Sequence, residues 1–252
     1  MKKLSSENPF YEFYQIFGSV DLTRYVNKIV TFFVVDGSIT VELAEKKIEI
    51  KSNEGLLISS KCKIKSVNIK KDSVAFDIIS NEKKKDLIFI KDDGDKIDEE
   101  KIDLYKKLTN HKKVLKPWGS ELWIVWLKDY HVLKKIYMKK GFKCSLQFHE
   151  KKYETNYLLS GKAKIIKNYH IDKKSSADAA KELIKNTDLL KDYSENINSP
   201  ASFTNIPGEI HRVYSLEDYT AYEVSTPELD DVIRIQDDTS RSSGRITSEH
   251  KK

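Results

Sequence analysis

No apolar run in this chain of 252 residues approaches the roughly 18 to 20 residues a membrane-spanning helix needs; the longest are short strand-like blocks such as 29–35. Cysteine is scarce. Cys62 and Cys144 lie far apart without CxxC spacing, which excludes a disulfide framework and a thiolate metal site and leaves two buried thiols as the expectation. The first residues, MKKLSSENPFYEFY, pass from two lysines straight into polar and acidic residues, so no secretory signal is read and a cytoplasmic location is expected. A large excess of one charge is missing too. Lys and Arg number 45 against 39 Asp and Glu, the signs are interleaved, and the net charge is +6. Short basic runs such as Lys70-Lys71 and Lys83 to Lys85 lack the aromatic interleaving of a single-strand binder, which argues against a nucleic-acid partner.

What the chain does contain is enough apolar material for a core, 39% hydrophobic and 10% aromatic, arranged in short alternating blocks separated by Gly, Asn, Asp and Ser. That pattern predicts an all-β sandwich or barrel. Helical signal is confined to two stretches. DKIDEEKIDLYKKL at 95–108 runs from acidic to basic, as a helix dipole prefers, and reads as a linker helix. SSADAAKELI at 175–184 opens on capping residues inside a long insertion, 169–200, placed to cover a barrel mouth. The expected organisation is a first domain at 1–95, a linker helix at 96–111 and a second domain at 112–252.

The two domains read as copies. Val34-Val35-Asp36-Gly37-Ser38-Ile39-Thr40-Val41 lies beside Leu158-Leu159-Ser160-Gly161-Lys162-Ala163-Lys164-Ile165, and a second turn-containing block follows each.

The polar residues of the second copy are the most informative. Residues two apart on a strand share a face, so Gln147 and His149 aim together, Glu154 returns beyond a turn formed by Glu150, Lys151 and Lys152, and His211 follows in FTNIPGEIHRV. An amide oxygen, two imidazoles and a carboxylate suit a divalent transition metal with open positions: zinc first, with iron, nickel, manganese or cobalt as alternatives. Aligned on Gly37 and Gly161, these positions fall on Thr23, Tyr25 and Val30 of the first copy, and Ile58 set on Ile206 puts Lys63 opposite His211. The first copy is therefore read as a degenerate barrel without metal ligands. Lys134 shares strand parity with Ile136 and Met138 and is expected to point inward, where lysine is rare. Glu223 in TAYEVST is a candidate general base, and Arg234 a candidate phosphate clamp or the partner of Asp230 or Asp231. Arg212 has the opposite parity to His211 and reads as structural.

These residues fall in an ordered series: Lys116-Pro117-Trp118-Gly119, Leu133-Lys134-Lys135-Ile136, Ser145-Leu146-Gln147-Phe148-His149, Tyr153-Glu154, Ile206-Pro207-Gly208-Glu209-Ile210-His211-Arg212, Glu223-Val224 and Leu229-Asp230-Asp231-Val232-Ile233-Arg234. From Lys116 onward the chain thereby resembles the cupin domain of type II phosphomannose isomerases. Lys151, Thr155 and Lys140 stand where that family has His, His and Pro, and no glycine-rich phosphate loop of a fused nucleotidyltransferase precedes. The resemblance implies a double-stranded β-helix (cupin or jelly-roll) fold, here as two tandem copies, a bicupin. It also implies a metal-dependent isomerase or related epimerase acting on a sugar phosphate or activated sugar for surface polysaccharide synthesis. In that setting Lys134, Glu223 and Arg234 are the catalytic candidates. Two alternatives stay open: a non-catalytic module that binds a sugar or nucleotide sugar, and an iron oxygenase, against which a fourth protein ligand at Gln147 argues. A homodimer built on exposed sheet edges is expected.

Overall fold

The computed structural model describes residues 1–6, 8–84, 96–170, 190–244 and 246. They divide into two compact units: the first takes the described residues of 1–111 together with Ile124–Val132, the second Lys112–Trp123 and the described residues from Leu133 onward.

The first unit carries β1 (Lys2–Lys3), β2 (Tyr11–Ile16), β3 (Ile29–Asp36), β4 (Ser38–Leu43), β5 (Lys47–Lys51), β6 (Gly55–Ile58), β7 (Ile64–Ile69), β8 (Val74–Ser80) and β9 (Tyr105–Leu108). They form a six-stranded sheet in the order β1-β2-β8-β3-β6-β9 and a three-stranded sheet β5-β4-β7. Strand character follows side-chain patterning. The alternating SITVEL and KIEIK of β4 and β5 bury every second residue, whereas IVTFFVVD of β3, flanked by β8 and β6, is buried on both faces for most of its length. Val30, Phe32 and Val34 of β3 join Ile39 and Val41 of β4 in one core, so the sheets pack face to face. His131 is fully buried between the hydroxyls of Thr31 (2.9 Å) and Ser80 (2.7 Å), and burial draws its pKa down to about 3.

The second unit repeats the plan with β10 (Lys112–Lys116), β11 (Gly119–Leu127), β12 (His131–Met138), β13 (Leu146–Phe148), β14 (Glu154–Ser160), β15 (Lys162–His170), β16 (Ser194–Asn198), β17 (Ala201–Asn205), β18 (Glu209–Ser215), β19 (Tyr219–Ser225) and β20 (Ile233–Gln236). The orders are β10-β11-β12-β19-β14-β17 and β16-β15-β18-β13-β20. The last residues of β11 and the first two of β12 belong to the first unit.

Strand register shows the duplication in detail. Val30 pairs with Ile79 and Phe32 with Asp77, and a bulge falls between Val34 and Asp36. In the second unit Glu154 pairs with Ser225 and Asn156 with Glu223, and the bulge falls between Leu158 and Ser160. A glycine follows each bulge. Gly161 has φ +98°, and a Cβ there would lie 2.2 Å from the Asp218 carbonyl oxygen, so no other residue fits without moving backbone. The β4–β7 and β15–β18 ladders match as well: Glu42–Ser66 corresponds to Ile166–Arg212 and Leu43–Ile64 to Tyr169–Ile210. The residue opposite His211 is therefore Lys65, not Lys63, because the turn between the paired blocks differs in length.

Two further expectations are corrected. Residues 96–111 form no helix: a single 3-10 turn at Glu99–Lys101, capped by the Asp98 carboxylate, is followed by β9. The outer backbone groups of β6, whose residues are all buried, need partners, and Tyr105–Leu108 supplies them; this outweighs the local charge pattern. Within the insertion at 169–200, Ser194–Asn198 is a strand paired to β15, while the helix expected at 175–184 lies outside the described residues. The two cysteines are free and half-buried rather than fully buried.

Asp77, on the rung that Glu223 occupies in the second unit, is fully buried with Tyr25 OH donating to it and Arg24 at 3.4 Å. Burial outweighs both partners and raises its pKa to about 6. A carboxyl group raised in the folded state stabilises the fold fully below its unfolded value, near 3.8, and loses that contribution as pH rises through about 6. Asp77→Asn should therefore gain stability relative to the parent by about 2–3 kcal/mol between pH 4 and pH 7. Urea denaturation of both proteins at the two pH values reads this; parallel pH profiles would refute it.

Candidate metal centre

The site forms because four strands of the second unit bring distant residues into register. On β13, Gln147 pairs directly with His211 of β18, so their side chains start on adjacent rungs. His149 follows one residue beyond β13. Glu154 opens β14, the strand between β19 and β17, with Ser225 on one side and Asn205 on the other.

His149, Glu154 and His211 are buried, and their ligand atoms lie within 4.8 Å of one another; among the described residues this is the one His/Cys/Asp/Glu group so disposed. His149 Nε2 is 3.5 Å from Glu154 Oε2, and His211 Nε2 is 3.3 Å from Glu154 Oε1. The rings stack with centroids 5.2 Å apart. Each imidazole is oriented from behind: His149 Nδ1–H donates to the Asp231 carbonyl, and His211 Nδ1–H donates to the Glu209 carbonyl at 3.0 Å. Those bonds select the tautomer whose Nε2 lone pair faces the cup. His149 Nε2 is buried there without a hydrogen-bond partner, an arrangement that fits a cation. Burial draws the His211 pKa down, which keeps the ring neutral and able to coordinate.

Gln147 borders the same space. Its Nε2 lies 3.3 Å from His211 Nε2, and its Oε1 accepts from Ser145 Oγ at 2.6 Å. A half-turn of the amide exchanges the two, presenting Oε1 to the cup and an N–H to the serine, whose hydroxyl accepts as readily as it donates.

Lys134 and Glu223 adjoin the cup within a buried series of alternating charge. Lys116 lies 3.7 Å from Glu121, which is 3.5 Å from Lys134, which is 3.7 Å from Glu223 Oε1. The same Glu223 oxygen accepts from Lys152 Nζ at 2.9 Å, and Lys152 also donates to Glu154 Oε2 at 2.5 Å. Burial alone would raise the acids, yet Lys134, Lys116 and the Trp123 indole bring Glu121 down to about 2. Desolvation would raise Glu154, yet the Lys152 ammonium holds it well below the usual range. Lys152 is raised: burial works to lower it, and the two carboxylates prevail.

Arg234 also lines the cavity, but its Nη1 donates to the carbonyls of Ser242 and, at 2.8 Å, Gly244, so the guanidinium ties down the C-terminal segment. Arg212 spans Cys144 and Gln236, as a structural residue would.

Sequence reasoning missed Lys152, Asn205 and Asp231. Asn205 Nδ2 donates to Glu154 Oε1 at 2.8 Å. The Asp231 carboxylate accepts from the backbone N–H groups of Glu150, Lys151 and Lys152 at 2.7–3.2 Å, which pins the turn carrying the buried lysine. The Asp-Asp pair before Arg234 was the available signal for Asp231. Nothing in the sequence singles out Lys152 from its exposed neighbour Lys151.

With this geometry in view, comparison with known proteins is informative. Residues 103–192, which include Lys134, Gln147, His149, Lys152 and Glu154, match the family model "Mannose-6-phosphate isomerase C-terminal". No curated protein sequence matches the chain. Similar solved structures include AerE from Microcystis aeruginosa (TM-score 0.55, 8% identity, 86% of each chain) and Bacillus subtilis oxalate decarboxylase, reported with Mn(II) centres (0.53, 8%, 86% of this chain and 68% of that one). A putative glyoxylate-induced protein from Pseudomonas aeruginosa is a third (0.52, 14%, 88% and 84%). At such identities the likeness shows the fold alone, and none of the described helices is long and apolar enough to cross a membrane. The chain thus has the nearly all-β cupin fold, and its residues 103–192 carry the signature of the mannose-6-phosphate isomerase C-terminal family.

Proposed function

We propose that the second unit binds one divalent metal ion through His149, Glu154 and His211, with Gln147 as a fourth ligand, and isomerises or epimerises a sugar phosphate beside it. The observation that carries this reading is the pair of Nε2 lone pairs turned by backbone carbonyls toward one buried carboxylate. When bound, such an ion supplies Lewis-acid stabilisation of oxygen charge next to a carbonyl. The family match supports the substrate class.

Charge supports it as well. Lys116, Lys134 and Lys152 match Glu121, Glu154 and Glu223 one for one in the cavity lining, and Arg241 is paired with Asp237. Arg234 and Asp230 add one charge of each sign. A lining so balanced acquires two net positive charges with a divalent ion, which complements a phosphate monoester of about −1.5 to −2. Asn205 Oδ1 and Tyr219 OH, both buried without partners, are placed to accept or donate to sugar hydroxyls.

Glu223 is the proton carrier in this reading. Its contacts to Lys152 and Lys134 fall on Oε1, which leaves Oε2 to take a proton from the carbon beside the carbonyl and return it to the neighbouring carbon. The two ammonium groups hold the carboxylate in place throughout. Trp118 and Trp123 wall the cavity and limit water.

The competing reading is a sugar-binding module without chemistry, favoured by the 2.5 Å contact that commits one Glu154 oxygen to Lys152.

Protein purified without chelator should contain about one divalent ion per chain by elemental analysis, and Gln147→Ala/His149→Ala should contain little. Equal metal in both rejects the ligand assignment. On a panel of hexose and heptose phosphates in deuterated water, turnover should place deuterium on the carbon next to the carbonyl. Glu223→Gln should lower kcat by about 10²-fold or more with KM changed only a few-fold. Sugar binding without deuterium incorporation would establish the module reading instead.

A further inference from the structure

We propose that Lys152 is a positioning residue, an internal counter-cation that holds Glu154 and Glu223 together when the cup contains no metal ion. The inference rests on the metal-centre reading above and goes beyond it by assigning a residue outside the ligand set.

The argument begins with burial. Glu154 and Glu223 are 4% and 7% exposed, and both face one cavity from adjacent central strands. Two carboxylates so placed repel and lack water, and such a pair persists only with a cation between them. A bound divalent ion would supply that charge to Glu154 only while it is bound. Lys152 supplies it from within the chain: 5% exposed, it reaches Glu154 Oε2 at 2.5 Å and Glu223 Oε1 at 2.9 Å. Its backbone is fixed independently, because Asp231 accepts the N–H groups of the turn. Lys134, 3.7 Å from Glu223, does not reach Glu154 in any recorded ion pair, so it cannot bridge the two acids.

The lysine also divides the work of Glu154. Oε2 is committed to the ammonium, while Oε1, fixed by Asn205 Nδ2 at 2.8 Å, faces His211 Nε2 at 3.3 Å. Both oxygens of Glu154 are thus fixed by groups of the chain itself.

If Lys152 performs this task, removing its charge makes the fold depend on metal. Lys152→Met keeps the stem and removes the ammonium; Lys152→Arg keeps a cation. In EDTA, Lys152→Met should melt about 10 °C below the parent, since it leaves Glu154 without a cation and Glu223 with Lys134 alone. Excess Mn²⁺ or Zn²⁺ should restore most of that loss, and the further change His149→Ala should abolish the restoration. Lys152→Arg should stay within a few degrees of the parent in both conditions. Should Lys152→Met not fold in EDTA, the same comparison is made on the fraction refolded with Mn²⁺ against EDTA. Melting of Lys152→Met at the parent temperature in EDTA, or a loss that neither ion repairs, overturns the proposal. Elemental analysis separates the two readings. Metal in the parent with a metal-indifferent Lys152→Met rejects the counter-cation alone. Metal taken up by Lys152→Met and not by the parent rejects the native metal centre and sustains the counter-cation.

Discussion

A carboxylate at the head of a central strand governs the second unit. Glu154 opens β14, which is paired on both sides, and is only 4% exposed, so its side chain must find most of its compensation within the protein. Each contact it makes comes from a different element. Asn205 arrives from β17 because the ladder sets it opposite, His211 comes from β18, and Lys152 comes from the turn that leads into β14 itself. Asp231 then becomes necessary, since it fixes both the turn that bears Lys152 and the ring of His149. The geometry of the cup is thus the consequence of burying one anion among partners drawn from several strands.

The same constraint explains why the charges alternate rather than cluster by sign. Once Lys152 bridges Glu154 and Glu223, the second acid shares its cation and draws Lys134 close, and Lys134 in turn sits beside Glu121 and over the Trp123 ring. Each group is tolerable in low dielectric because its neighbours carry the opposite charge. A series of this kind keeps the cavity polar without leaving it strongly charged, as the proposed binding of a cation and an anion together requires.

Much of this arrangement was legible in the residues. The spacing of Gln147, His149 and Glu154 is a local property of two strands and a turn, and strand parity alone placed Lys134 inward, where the structure has it buried. What escaped is what depends on tertiary partners. Lys151 and Lys152 are indistinguishable by type and differ only in which way the turn carries them, and that is decided by Asp231, 79 residues from Lys152. Residues 95–108 carry the charge gradient of a helix in the sequence, but Tyr105–Leu108 pair with the edge of β6, and the ladder prevails. Arg234 reads as an anion clamp until the carbonyls of Ser242 and Gly244 are seen to occupy it. The correspondence of Lys63 with His211 failed by two residues because it was anchored on Ile58 and Ile206, and the turns that follow them differ in length.

The two copies show what the scaffold demands apart from any chemistry. Asp77 and Glu223 stand on the same rung of equivalent ladders, so the fold keeps a buried carboxylate in both units although only one has imidazoles beside it. In the first unit Arg24 and the Tyr25 hydroxyl both reach Asp77 Oδ2 while Oδ1 is buried without a partner, and Val30 stands where Glu154 does. Compensation there comes from an arginine whose guanidinium lies 3.9 Å from the Tyr14 ring centroid. In the second unit a slimmer ammonium performs the equivalent task from one side and leaves the imidazoles facing open volume. The two units thus differ in which cation the chain sets beside its buried carboxylate, an arginine in one and a lysine in the other.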